Sequence, residues 1–331
     1  MSRRGLTWVL VGGTALLMLT LVGLVLATSG SDDALEIYSA RSHYGEEQPF
    51  EDFAFETGSD LRLRGGSATE LYERIRAEGE DTPADVLITV DAANLWRATE
   101  AGLLEPLDSS ELNRLVPEDL RDPGGHWYGL ALRARTIMRS ADRVGPNEIT
   151  TYEELGDPRW NGRLCLRSGT SEYNVSFVAD RLAKDGPEAT EEMLRSWMDN
   201  DPEIVGSDVD VLEAIADGDC DVGLTNHYYL EREKEEDPDF PVEPVWADQD
   251  GRGTHVNLSG LGVVAGSDQA DEAQELIEFL VSPDQQQVFS DNNHEFPVTE
   301  ELEFKADPID VEEAGARLDD ALNLMDEVGW D

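Results

Sequence analysis

Two tyrosines and a histidine meet in NHYYL (226–230), in a chain with eight tyrosines and five histidines. The run before it, CDVGLT (220–225), has the apolar pattern of a buried strand, which puts Tyr228 and Tyr229 at the far end of that strand. Aromatic residues are common in strands, so packing alone accounts for the stretch taken by itself. Two other places repeat the chemistry. His43 and Tyr44 follow a strand over residues 35–39, and Tyr173 follows the strand around Cys165 through a polar stretch at 168–172. A phenol titrates at about pH 10, so at neutral pH it ionises only beside strong positive charge. A small, hard, trivalent cation supplies that charge. Zinc favours cysteine and histidine, whereas calcium and magnesium favour carboxylates and carbonyls, and ferric ion is the biological case that suits anionic oxygen. Three phenolates neutralise Fe3+; a fourth leaves one negative charge, for which a nearby arginine is the natural counter-ion.

The elements that must bring these groups together alternate between strand and helix. Strands are expected at 35–39, 61–63 and 84–89, with helices at 45–57, from the Ser67 cap through Arg76, and from the Asp91 cap through Ala101. Ser67 with Glu70 three residues on is a capping box. Short connections in such a series imply a parallel sheet covered by helices. A long strand at 130–138 follows, then a second set: a strand at 164–168, helices at 174–184, 188–199 and 209–216, and the strand leading into NHYYL. A further long strand is expected at 256–264, and a last helix at 311–328 with Ala314, Leu318, Leu322 and Met325 on one buried face. Two α/β lobes joined by two crossing strands place a cleft between them, with strand ends facing it. The boundaries implied are 1–33 for an N-terminal segment, 34–132 with 258–300 for lobe 1, and 133–257 with 301–331 for lobe 2.

Composition narrows the function. Seventy-two acidic residues oppose 25 basic ones, a net charge of −47, and all the bases except Lys184, Lys234 and Lys305 and the histidines are arginine. Such a surface repels nucleic acid and anionic membranes. The acids are spread through segments with clear apolar periodicity, so the chain is folded, and an acidic, lysine-poor surface points to a halophilic, haloarchaeal protein whose self-repulsion is screened by salt. At the N-terminus Arg3 and Arg4 precede an uncharged apolar run to about residue 30, a twin-arginine export signal or membrane anchor that puts residues 34–331 outside the cell. In that compartment Cys165 and Cys220 form either a disulfide or two buried thiols. No phosphate loop, HExxH pair or nucleophile elbow is present in the sequence. His126 suits a turn, and His255 and His294 suit strand entries where the ring bonds a backbone carbonyl.

Several blocks, in order, carry a more specific resemblance: IYSARSHY (37–44), PADVLITVDAANLWRA (83–98), LRDPGGHWYGLALRAR (120–135), YEELGDPRWNGRLCLRS (152–168), SEYN (171–174), GDCDVGLTNHYYL (218–230) and DQDGRGTHVNLSG (248–260). From Leu35 to about Val298 the chain resembles the ferric-iron-binding extracytoplasmic solute-binding proteins of ABC importers, in the tyrosine-rich branch that binds iron without an external anion. The resemblance implies a two-lobed, type II periplasmic-binding-protein-like α/β fold and Fe3+ as transported ligand. It also implies an importer permease as partner, a monomer, and iron ligands His43, Tyr44, Tyr173, Tyr228 and Tyr229. His227 is then a neighbour, and Arg41 stands behind the first loop, with Ser42 between it and His43 where relatives place the arginine directly before His-Tyr. The alternative is a receptor of the same architecture for an organic cation such as a polyamine or thiamine, with the tyrosines stacking on it. A metal-dependent hydrolase is disfavoured because no acid–base pair accompanies the cluster.

Overall fold

A computed structural model describes residues 34–41 and 47–331. The export segment expected over residues 1–33, and His43 and Tyr44 in the first loop, lie outside the described residues. Among the described residues no helix is long and apolar enough to cross a membrane.

The chain begins with β1 (Leu35–Ser39), α1 (Gln48–Thr57), β2 (Leu61–Gly65), α2 (Ala68–Glu78), β3 (Val86–Thr89) and α3 (Ala92–Glu100). The short β4 (Leu104–Glu105) and α4 (Ser110–Leu115) lead to the long β5 (Tyr128–Ser140). Then come β6 (Leu164–Arg167), α5 (Glu172–Asp185), α6 (Pro187–Met198), β7 (Glu203–Val205), α7 (Asp208–Asp217), β8 (Val222–Asn226) and α8 (His227–Glu236). The remainder is β9 (Val242–Val245), β10 (Thr254–Val264), α9 (Ala270–Leu280), α10 (Pro283–Asn293), β11 (Ala306–Pro308), α11 (Val311–Gly315) and α12 (Leu318–Val328). The local signals hold where they are strongest. Ser67 accepts from the Glu70 N–H and Glu70 returns to the Ser67 N–H, closing the capping box of α2, while Asp91 accepts the Ala93 N–H at the start of α3.

The strands follow one path, β2-β1-β3-β10-β5-β8-β6-β7. β1 runs parallel to β2 and β3, and β6 runs parallel to β7 and β8. β5 is the link. Its residues 128–134 pair antiparallel with β10, and from Arg135 onward it pairs with β8 and β9. β1 and β3 are buried along their whole length, as parallel strands covered on both faces require. Leu35, Ile37, Val86, Ile88, Leu261 and Val263 form one core with α9, and Met138, Val211, Leu212 and Ile215 form another around the second set. Each such side chain contributes about 1.5–3 kcal/mol relative to exposure.

One expectation needs correction, and one left open is closed. The last helix is broken: it ends at Gly315, packed against Trp96 where a Cβ would come within 2.4 Å of the indole, and the chain restarts at Leu318. The new face buries Ala321, Leu324 and Met325 and leaves Leu322 43% exposed. The cysteines are joined in a disulfide, Cα–Cα 5.8 Å, which ties β6 to the turn before β8.

Candidate functional site

β6 and β8 are adjacent and parallel, with Leu164 beside Val222 and Leu166 beside Leu224, so their carboxyl ends leave the sheet side by side. β8 passes directly into α8, which places Tyr228 and Tyr229 in the first helical turn. Tyr173 is also in a first turn, that of α5, one residue inside a helix that begins at Glu172. Two parallel strands and two helix starts thus bring three phenols together. Tyr228 Oη donates to Tyr173 Oη at 3.3 Å, and the rings of Tyr228 and Tyr229 are 4.4 Å apart. Asn226 Nδ2 donates to Tyr228 Oη at 3.3 Å. Tyr173 and Tyr228 are buried and Tyr229 is partly exposed.

Burial is the main influence on all three hydroxyls and pushes each well above the usual tyrosine value. Next comes their mutual repulsion, Tyr229 on Tyr173, Tyr173 on Tyr228 and Tyr228 on Tyr229. Without a cation the cluster stays protonated. Three guanidiniums surround it. Arg133 lies 5.0 Å and Arg167 5.5 Å from the Tyr173 ring centre, and Arg232 lies 5.1 Å from that of Tyr228. Arg133 is 2% exposed, and among the described residues neither of its terminal nitrogens meets a hydrogen-bond acceptor. A buried guanidinium in that state is costly unless a negative charge comes to it. Beside Tyr173, burial and then the Asp91 charge push the Glu172 carboxyl up to about 7, and it accepts the Ala68 N–H of α2 at 3.2 Å.

The other sequence candidates fall elsewhere. His227 is buried with its ring stacked on Phe296, 4.1 Å between centres, and Nδ1 accepts the Ala134 N–H at 3.2 Å. It packs beside the phenols, as a neighbour. Arg41 is buried between Glu47 and Glu295, with 2.6 Å contacts to each. His126 bonds Asp122 at 2.7 Å in its turn and His294 bonds Glu235 at 3.1 Å. His255 corrects the expectation of a carbonyl partner, since its Nδ1 meets the Asp180 carboxylate at 3.0 Å, and His294 does likewise with its Glu235 carboxylate. Arg133, Arg167, Arg232 and Asn226 were not singled out from sequence. A signal existed for the first of these: LRAR inside β5 puts two arginines on one face of a buried strand.

What the arrangement offers is a set of hard oxygen donors, neutral until a cation binds, with positive charge behind them to balance the phenolates that would form. Residues 81–316 match the family described as bacterial extracellular solute-binding protein. Iron uptake proteins A1 and A2 of Synechocystis are 41% and 39% identical to the chain, over 92% and 97% of it and 89% and 96% of their own lengths. The solved structure of the Trichodesmium protein (IdiA, FutA), in complex with iron and citrate ligands, superimposes with a TM-score of 0.81 at 39% identity, covering 90% of this chain and 100% of that one. The shared fold is the type II periplasmic-binding-protein-like α/β fold expected from the sequence. On these grounds the chain belongs to the bacterial extracellular solute-binding proteins.

Proposed function

We propose that this protein is the iron(III) receptor of an ABC importer: it captures Fe3+ in a cleft between two lobes and delivers it to the membrane permease. It is a carrier, not an enzyme. The observation that carries this reading is the meeting of Tyr173, Tyr228 and Tyr229 at two neighbouring strand ends under the Arg133 guanidinium, whose terminal nitrogens meet no acceptor among the described residues. Deprotonated by the metal, three phenolates cancel its charge. Tyr44 supplies a fourth and His43 an imidazole, and Arg133 balances the surplus negative charge, so no external anion is needed, as in the tyrosine-rich branch. The names of the Synechocystis and Trichodesmium relatives support iron as the ligand.

The lobes we assign are 34–132 with 258–300 and 133–257 with 301–331. Glu172 bonded to the Ala68 N–H, and Ser176 Oγ donating to Asp91 Oδ1 at 2.6 Å, bridge them near the phenols. The protein works outside the cytoplasm as a monomer, with residues 1–33 serving export or tethering, and its acidic surface suits the high salt of a haloarchaeal setting.

Equilibrium dialysis of the full-length protein against ferric nitrilotriacetate in concentrated potassium chloride tests the reading. One iron per chain should be retained, undiminished by excess calcium, magnesium or spermidine. No retained iron, or displacement of iron by spermidine, would overturn it.

A further inference from the structure

Two residues beyond Arg133 on the same strand stands Arg135, 2% exposed. A guanidinium has five N–H donors in a rigid plane. Here they make five contacts. Nε and Nη2 both reach Asn174 Oδ1 (2.9 and 2.5 Å), Nη1 reaches Asp208 Oδ1 (3.0 Å) and Asn226 Oδ1 (3.1 Å), and Nη2 also reaches the Leu224 carbonyl (3.4 Å).

Both asparagines act on a phenol. Asn174 follows Tyr173, and its Nδ2 donates to the Arg167 and Ser168 carbonyls (3.0 and 2.9 Å), fixing the turn that delivers Tyr173. Asn226 ends β8, and its Nδ2 donates to Tyr228 Oη. Asp208, fully buried at the start of α7, holds Arg135 with Oδ1 and Arg167 with Oδ2 (2.9 Å). An unbroken line of hydrogen bonds therefore runs from the turn before Tyr173, through Asn174, Arg135 and Asn226, to Tyr228. Buried ion pairs add little net stability over well-packed apolar groups, because desolvation offsets the attraction. What this one adds is geometry: a planar fork that fixes the starts of α5 and α8 against each other.

We propose that Arg135, held by Asp208, is a positioning residue of the iron site, setting the distance and angle between Tyr173 and Tyr228 before the metal arrives. This rests on the iron reading above. Groups behind metal ligands typically change affinity by about 10- to 100-fold when altered.

Arg135→Lys keeps the charge facing Asp208 but has only three donors on one nitrogen, so it cannot hold both asparagines. In the full-length protein titrated with ferric nitrilotriacetate well below its unfolding temperature, the variant should bind iron about 10- to 100-fold more weakly. The maximum of its phenolate-to-iron absorption band should also move. If Arg135 merely supports the fold, the unfolding temperature drops while band and affinity stay as in the wild type, and the inference fails. Should Arg135→Lys not fold, Asn226→Ala removes the contact to Tyr228 and leaves four of the five guanidinium contacts; it must show the same band shift, and an unchanged band and affinity overturns the proposal. Absence of any band in the wild type overturns the iron reading and this inference together, whereas a wild-type band unaltered in the variants sinks the inference alone.

Discussion

Helix α5 carries a buried polar cluster at each end, and the two are built on opposite terms. Toward its C-terminal end Asp180 meets His255 Nδ1 and Lys184 Nζ, each at 3.0 Å, while Arg181 and Lys184 meet Asp307 at 2.5 and 2.8 Å. Burial alone would raise the Asp180 carboxyl, yet the His255 hydrogen bond and the Lys184 and Arg181 charges hold it well below the usual range. Anion and cation there face each other directly. At the N-terminal end burial keeps three phenols protonated, and Arg133 has no acceptor among the described residues. A cluster whose charges match is complete without a ligand; one whose charges do not match waits for a ligand to match them. The same helix serves both because its two ends face different neighbours, β10 and β11 at one and the ends of β6 and β8 at the other.

Breaking the matched end should have the largest effect on stability and none on iron. Asp180→Ala leaves Lys184 and Arg181 short of a buried partner, a change that costs about 3–5 kcal/mol. Denaturant unfolding should show that loss while a ferric titration still gives one iron per chain; lost iron binding in a folded variant would mean the two ends are coupled. At the other end the outcome reverses. Tyr228→Phe and Tyr229→Phe each keep the ring and remove one oxygen, so unfolding should change by only about 1 kcal/mol. Iron affinity should fall about 100-fold or more, equivalent to about 2.8 kcal/mol. Unchanged iron content and colour in both variants would contradict the ligand assignment.

The smallest effect is a pH signature. Burial holds the His255 imidazole below its ordinary value of 6.5. As pH falls through that value the unfolded chain takes up a proton that the folded ring refuses, so stability declines with falling pH. Asp180 adds a second loss lower down, because a depressed carboxyl contributes fully above its ordinary value of 3.8 and loses that contribution as pH falls toward its folded value. His255→Gln should lessen the first decline in urea unfolding measured on both sides of pH 6.5, the remainder coming from His227, which burial holds down to about 4, and leave the pH dependence of iron binding as it was. A variant with the same acid limb as the wild type would remove His255 from the account.

The sequence made the phenol end legible and left the matched end dark. NHYYL, the Ser67 capping box, the Asp91 cap and the crossing strand are local signals, written within a few residues. The partner of His255 is 75 residues away, so no local pattern could name Asp180. β4, β7, β9 and β11 have two to four residues each and are strands only by virtue of the neighbours they pair with, as β11 does with β10. Leu322 went astray because helical spacing holds only while the helix is unbroken, and this one ends at Gly315 and restarts at Leu318. Tyr173 was expected after a polar loop, but Glu172 already starts the helix, which is what turns the phenol toward Tyr228.

The most direct measurement adds ferric nitrilotriacetate to the unbuffered full-length protein while recording visible absorption and proton release together. Phenols kept neutral by burial must lose their protons to bind the metal. The account predicts a phenolate-to-iron charge-transfer band that saturates at one iron per chain, with protons released in step, and an affinity that weakens as the pH is lowered. Iron bound without the band, or bound equally well at acidic and neutral pH, would show that Tyr173, Tyr228 and Tyr229 do not hold it.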